Sequence, residues 1–288
     1  MRAKVRCSVF MAIGIFDSGL GGLIILKEII KKLPQYDYIY LGDNARTPYG
    51  NRSQEVIYKF TEQAVDFLFK QDCQLIIIAC NTASAKALRK IQQEWLPRVM
   101  GNEYRVLGVI RPVVEKAVEV AKKKIGIIGT KATVNSQAYI REIEKFPPKA
   151  DPLQADNTQM EIVQQACPLL VSLIEEGWEK RPATKKILRS YLKPLKLAKV
   201  DTLILGCTHY PILIKEIQGI MGIHTKVLNS GEIVAEALLD YLYRHPEIEL
   251  KLDKNSQYKL FVTDLSEHYQ ELGEKWFGQG IEFEKIEL

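Results

Sequence analysis

Cysteine is scarce in this 288-residue chain. Its five occurrences, Cys7, Cys73, Cys80, Cys167 and Cys207, are odd in number and widely spaced, with no Cys-x-x-Cys pair. That argues against a disulfide framework and for a reducing, cytoplasmic setting. Long apolar runs are missing too: none approaches the roughly 18 residues that a membrane helix needs, so no membrane partner is expected. Nor does one sign of charge dominate locally. The net charge of +5 is spread along the chain, and its densest basic runs are Lys122–Lys124 and the group Lys185, Lys186 and Arg189. They suit solvated helix faces, and without interleaved arginine and aromatic residues a nucleic-acid partner is not expected. There is no low-complexity segment and no Walker A lysine-hydroxyl pair.

What is present is the composition of a globular protein, 47% hydrophobic and 26% charged, with enough length for two domains. Met1–Arg6 is basic and Cys7–Phe16 mostly apolar, but the run leads directly into Asp17-Ser18-Gly19 without a separate cleavage site. Residues 1–10 are therefore expected to be a short extension, with the folded pattern starting at Met11. Seven runs have strand length and composition: Ala12–Phe16, Tyr38–Leu41, Leu75–Ala79, Val106–Ile110, Ile125–Ile128, Thr202–Leu205 and Tyr258–Val262. They are apolar throughout instead of alternating, as in parallel strands buried on both faces. Between them lie helical periods such as Ser53–Lys70, so the expected class is α/β with open parallel sheets. Phe146–Asn157, with three prolines, is the most loop-like stretch.

In such sheets the working residues follow the C-terminal ends of strands. The candidate places are Asp17–Gly22, Gly42-Asp43-Asn44, Cys80-Asn81-Thr82, Gly129-Thr130 and Gly206–His209. Two of them echo each other: Ile76–Thr82 and Leu203–His209 both end a strand with a small residue, then Cys and two polar side chains. A thiol at a helix start meets free backbone N–H groups and the helix dipole, which favour thiolate and lower its pKa. Asn81 and Thr82 can cap the helix expected through Ala83–Trp95, and Pro211 suits a first helical turn. Cys7, Cys73 and Cys167 read as small buried hydrophobes. For Cys80 and Cys207 three chemistries compete: a redox pair, a zinc site with His209, and proton transfer from opposite faces of one substrate. Gly19-Leu20-Gly21-Gly22 resembles a dinucleotide fingerprint, with Asp43 near the ribose position, but Ile24 stands where the third glycine belongs. These glycines are expected to let the backbone approach a small anionic substrate.

These segments resemble the cofactor-independent glutamate racemases. The resemblance runs through Ile13–Gly22, Gly42–Gly50, Ala79–Ser84, Gly126–Thr130, Cys167–Leu169 with Glu175–Gly177, and Leu205–Pro211, in family order. It implies two similar doubly wound parallel-sheet domains with the active site in the cleft between them. The expected division is 11–104 plus 222–288 for the first domain and 105–221 for the second, inserted one. It implies interconversion of L- and D-glutamate for peptidoglycan without metal, pyridoxal phosphate or nucleotide, in a protein that forms a homodimer in this family. By resemblance Cys80 and Cys207 are the acid/base pair, tuned by Asp17, His209 and Glu175 (Glu176 is its neighbour and rival). Asp17, Ser18, Tyr49, Gly50, Asn81, Thr82, Thr208 and His209 hold the substrate. The alternatives are a racemase of another acidic amino acid such as aspartate, or a non-catalytic amino-acid-binding module.

Overall fold

Short runs of Ile, Val, Leu and Tyr become strands here because both of their faces find apolar cover. The structure is a computed structural model that describes residues 11–101, 103–147 and 160–288. The extension at residues 1–10, Cys7 with it, and residues 148–157 of the loop-like stretch lie outside the described residues. Among the described residues ten strands occur. The first five are β1 (Ile13–Asp17), β2 (Tyr38–Gly42), β3 (Leu75–Ile78), β4 (Arg105–Gly108) and β5 (Lys124–Gly129). The others are β6 (Glu161–Ala166), β7 (Thr202–Gly206), β8 (Lys226–Val227), β9 (Tyr258–Val262) and β10 (Phe283–Lys285).

They form two sheets, ordered β10-β9-β2-β1-β3-β4 and β6-β5-β7-β8. Every pairing is parallel. The inner order β2-β1-β3-β4 of the first sheet is repeated by β6-β5-β7-β8 in the second. The internal echo in the sequence is therefore an echo of topology: Cys80 follows β3 and Cys207 follows β7, at equivalent positions. In the first sheet Ile13, Ile15, Tyr38, Tyr40, Leu75 and Ile77 enter one core, shared with the second sheet. The intervening Phe16, Ile39, Leu41, Ile76 and Ile78 enter another, under the helix Gln54–Lys70. That helix starts where the sequence placed it, with Ser53 accepting the Val56 N–H at 3.3 Å.

Some boundaries moved. Val106–Ile110 is not one strand: β4 stops at Gly108, and Ile110 opens the helix Ile110–Val120. The single helix expected through Ala83–Trp95 is broken into Asn81–Lys86, Leu88–Lys90 and a π-helical turn at Ile91–Trp95. β4, which begins at residue 105, pairs with β3 in the first sheet, and β8, beyond 221, pairs with β7 in the second. β4 thus belongs to the first sheet and β8 to the second.

The basic run Lys122–Lys124 is ordered by an acid. The backbone N–H groups of Lys122, Lys123 and Lys124 donate to the Asp201 carboxylate at 3.0, 2.7 and 2.8 Å, tying the start of β5 to the start of β7. Partial burial opposes the Asp201 charge, but these three donors and the Thr202 hydroxyl hold its carboxyl below the usual range. A depressed folded pKa contributes stability that is present at neutral pH and lost as pH falls through it. Asp201→Asn should therefore be less stable than wild type by about 1–2 kcal/mol in urea unfolding at pH 7. The gap should begin to narrow as pH falls through the unfolded carboxyl range at about 4 and close only once pH passes the lower pKa of the folded carboxyl; a gap independent of pH would contradict this.

Candidate active site

Parallel register brings the ends of β1, β2 and β3 to one edge, with Asp17 opposite Gly42 and Phe16 opposite Ile78. In the second sheet Gly129 lies opposite both Ala166 and Gly206. The two edges face each other. Thr82 from the first half is 2.9 Å from Thr130 and 3.1 Å from Thr133 of the second, hydroxyl to hydroxyl. The Tyr139 hydroxyl donates to Asn81 Oδ1 at 2.7 Å. Between the edges lies a narrow cleft, lined by Ser18, Tyr49, Gly50, Cys80, Asn81, Thr82, Cys207, Thr208 and His209. Thr47, Pro48, Thr130 and Val171 complete it.

Both thiols sit in this cleft, 5% and 6% exposed. Their surroundings differ. Cys80, not Asn81 or Thr82, caps the helix Asn81–Lys86, and its sulfur accepts the Ala83 N–H at 3.5 Å. The Ser18 hydroxyl is 3.1 Å from the same sulfur. The expected lowering of this thiol's pKa is overturned. Burial pushes Cys80 up to about 12, and the Asp17 carboxylate adds to the push; Ser18 and the Ala83 N–H offset only part of it. Cys207 opens a turn instead of a long helix, followed by the 3₁₀ turn Tyr210–Leu213 with Pro211 in its first turn. Its sulfur lies 3.9 Å from His209 Nδ1.

His209 faces three groups. Its Nε2 donates to Glu175 Oε1 at 3.0 Å, Nδ1 points to Cys207, and Thr208 Oγ1 is 3.4 Å from Nδ1. Burial works against a charged imidazole, but the bonds to Cys207 and Glu175 outweigh it and hold His209 up at about 10. The partner is thus Glu175, while no contact joins Glu176 to the imidazole. The indole of Trp276 meets the ring edge-on at 5.4 Å between centroids. Asp17 is fully buried behind the cleft, where Oδ2 accepts the Gly19 N–H at 3.0 Å and Oδ1 has no partner. Burial raises its carboxyl above the usual range against the pull of His209 and the Gly22 and Gly19 N–H groups.

Two glycines stand where the halves come closest. A Cβ on Gly21 would stand 2.5 Å from both His209 Nδ1 and Thr208 Oγ1, and one on Gly50 2.8 Å from Thr130 Cβ. They let the halves meet each other. Asp43 is no ribose reader: it is buried, paired with Arg46 and bonded by the hydroxyls of Tyr49 and Thr263. Tyr49 therefore lines the cleft with its hydroxyl already engaged. Among the described residues no three His, Cys, Asp or Glu side chains are grouped to hold a metal ion. A larger, open groove between the helices Pro182–Leu197 and Ile214–Met221 is lined by Lys185, Arg189, Lys193 and Glu216 among others and brings no thiol or imidazole together.

A family model described as Asp/Glu/Hydantoin racemase matches residues 24–238. The chain belongs to that racemase family. It is 40% identical over 268 residues to a glutamate racemase from Geobacter metallireducens, covering 93% of each chain. Its fold matches a glutamate racemase from Bacillus anthracis with a TM-score of 0.84 at 33% identity, over 97% of this chain and 98% of the other. It also matches the Francisella tularensis glutamate racemase in complex with D-glutamate, with a TM-score of 0.82 at 34% identity over 96% and 98%. This chain is accordingly a racemase-type isomerase with the two-domain racemase fold.

In this racemase the sequence left Thr130 as an unassigned strand end and missed Thr47, Pro48, Val171, Tyr139 and Trp276 as neighbours of the cleft. Thr47 and Pro48 fall inside the family-like segment Gly42–Gly50; Val171, Tyr139 and Trp276 carry no local signal. Because Glu175 is one of the groups that hold the imidazole charged, His209 should titrate near pH 10 by NMR, and Glu175→Gln should bring that value down. The stability this pair contributes is fully present below about pH 6.5 and lost as pH rises through about 10. A wild-type His209 that titrates near 6.5 would contradict the geometry.

Proposed function

We propose that this racemase interconverts L- and D-glutamate by proton transfer at Cα between Cys80 and Cys207, without a cofactor. We infer further that it supplies D-glutamate for peptidoglycan in the cytoplasm. The observation that carries this reading is the placement of one thiol at each of two equivalent strand ends facing a single cleft. Inversion at carbon needs a proton removed from one face and another delivered to the opposite face, and a single base cannot do both without moving. The glutamate racemase relatives, one of them holding D-glutamate, support the choice of substrate. Among the described residues no helix is long and apolar enough to cross a membrane.

The residues have consistent roles in such a step. One thiolate takes the Cα proton, the electron pair stays on the substrate carbanion, and the opposite thiol returns a proton to the other face. The pair ends with its protonation states exchanged. Cys80, held up to about 12, rests in the donor form. The ammonium of an entering amino acid offsets the Asp17 charge that contributes to this. The His209–Glu175 pair sets a cation beside Cys207, where it counters negative charge during transfer. Ser18, Asn81, Thr82, Tyr49, Gly50 and Thr208 supply hydroxyl, amide and backbone groups for two carboxylates.

Purified protein given L-glutamate alone should lose optical rotation to the racemic mixture, and the same from D-glutamate. Cys80→Ala and Cys207→Ala should each reduce the rate by about 10³-fold or more. A folded wild type inert toward both enantiomers, or full activity in either variant, would contradict the proposal.

A further inference from the structure

The two polar residues after Cys80 are both gripped from the opposite half. Thr82 meets Thr130 and Thr133, and Asn81 meets Tyr139. The second grip decides an orientation. A side-chain amide can face either way unless its partners fix it. The Tyr139 hydroxyl is donor to Asn81 Oδ1 at 2.7 Å, and burial keeps that phenol protonated well above its usual range. Nδ2 is thereby turned the other way. It is buried and has no partner, on a residue that lines the cleft at 3% exposure. A buried donor left unpaired is costly, and such groups mark places where a ligand completes the bonding.

Tyr139 itself is tightly placed. Gln137 turns the chain through the left-handed region (φ 57°) between the helices Lys131–Asn135 and Ala138–Ile143. Ser136 Oγ donates to Thr133 O at 2.6 Å and accepts the Ala138 N–H at 3.1 Å, bracing the turn. The Tyr139 ring, fully buried, lies beside Gly206, where a Cβ would come within 3.2 Å of it.

We propose that Tyr139 is a positioning residue for the racemase reaction: its hydroxyl, reaching across the cleft, fixes the Asn81 amide so that Nδ2 is offered to a substrate carboxylate. This rests on the racemase reading of the site. Because the hydroxyl comes from the second half, the Asn81 donor is aimed only when the two halves are together, which couples substrate recognition to their closure.

Tyr139→Phe removes only the hydroxyl. It should raise KM for both enantiomers about tenfold while kcat stays within about twofold, the signature of lost ground-state binding. Since L- and D-glutamate have equal free energies in water, kcat/KM must fall equally in both directions. If Tyr139 acts through Asn81, adding Tyr139→Phe to Asn81→Ala should cost nothing further. A wild-type KM in Tyr139→Phe, or additive losses in the double variant, would overturn the proposal. A substrate-free readout separates its failure from that of the racemase reading: the ¹⁵N resonance of the Asn81 side-chain amide should shift in Tyr139→Phe. In the wild type the Tyr139 hydroxyl proton, held by Asn81 Oδ1, should exchange slowly with water, a readout that needs no variant to fold. An unshifted resonance or a fast-exchanging hydroxyl contradicts the positioning role, whereas an inert wild type contradicts the racemase reading alone.

Discussion

Parallel pairing obliges every strand of a sheet to end at the same edge, and the rest of this molecule is arranged around that constraint. Two sheets with the same inner strand order each present such an edge, and the edges are set against one another. The loops and helix starts after β1 and β3 in one half therefore meet those after β5 and β7 in the other. The meeting is close: Gly21 has no room for a side chain against His209 and Thr208, and Gly50 none against Thr130. A cleft between the two edges results from topology before any side chain is chosen.

The chemistry is then governed by burial. The helix start at Cys80 offers its sulfur a backbone N–H, yet desolvation outweighs it and the thiol is held protonated. The same burial acts on His209 with the opposite outcome, because Glu175 and Cys207 flank the imidazole and hold it charged. One thiol has a hydroxyl and a fully buried carboxylate for company; the other has a cation braced by a carboxylate. Symmetry of the fold thus carries an asymmetry of electrostatics, and the proposed transfer at one carbon would draw on both.

Much of the fold was legible in the residues, and the illegible parts have physical reasons. Strands such as Leu75–Ile78 and Thr202–Gly206 are buried on both faces, so an unbroken apolar run identifies them. β6, β8 and β10 are edge strands, short or half exposed, and their mixed sequences, such as Glu161–Ala166, carry no such signal. The run Val106–Ile110 misled because strand and helix are both apolar across that junction. At the site, Cys80 and Cys207 stood out through position and internal echo. Glu175 was reachable only by family resemblance, because nothing local marks a glutamate that meets a histidine 34 residues away. Tyr139 was invisible for the same reason: its partner, Asn81, lies 58 residues distant in the chain.

The central claim is that two thiols serve opposite faces of one carbon. Its most direct test is the fate of the Cα hydrogen during the first few per cent of reaction of L-glutamate in heavy water. A two-thiol transfer predicts deuterium at Cα of the D-glutamate formed, while the remaining L-glutamate keeps its original hydrogen. Product that retains the substrate's own hydrogen, or deuterium appearing as fast in the unreacted L-glutamate, would show a single base at work and contradict the account.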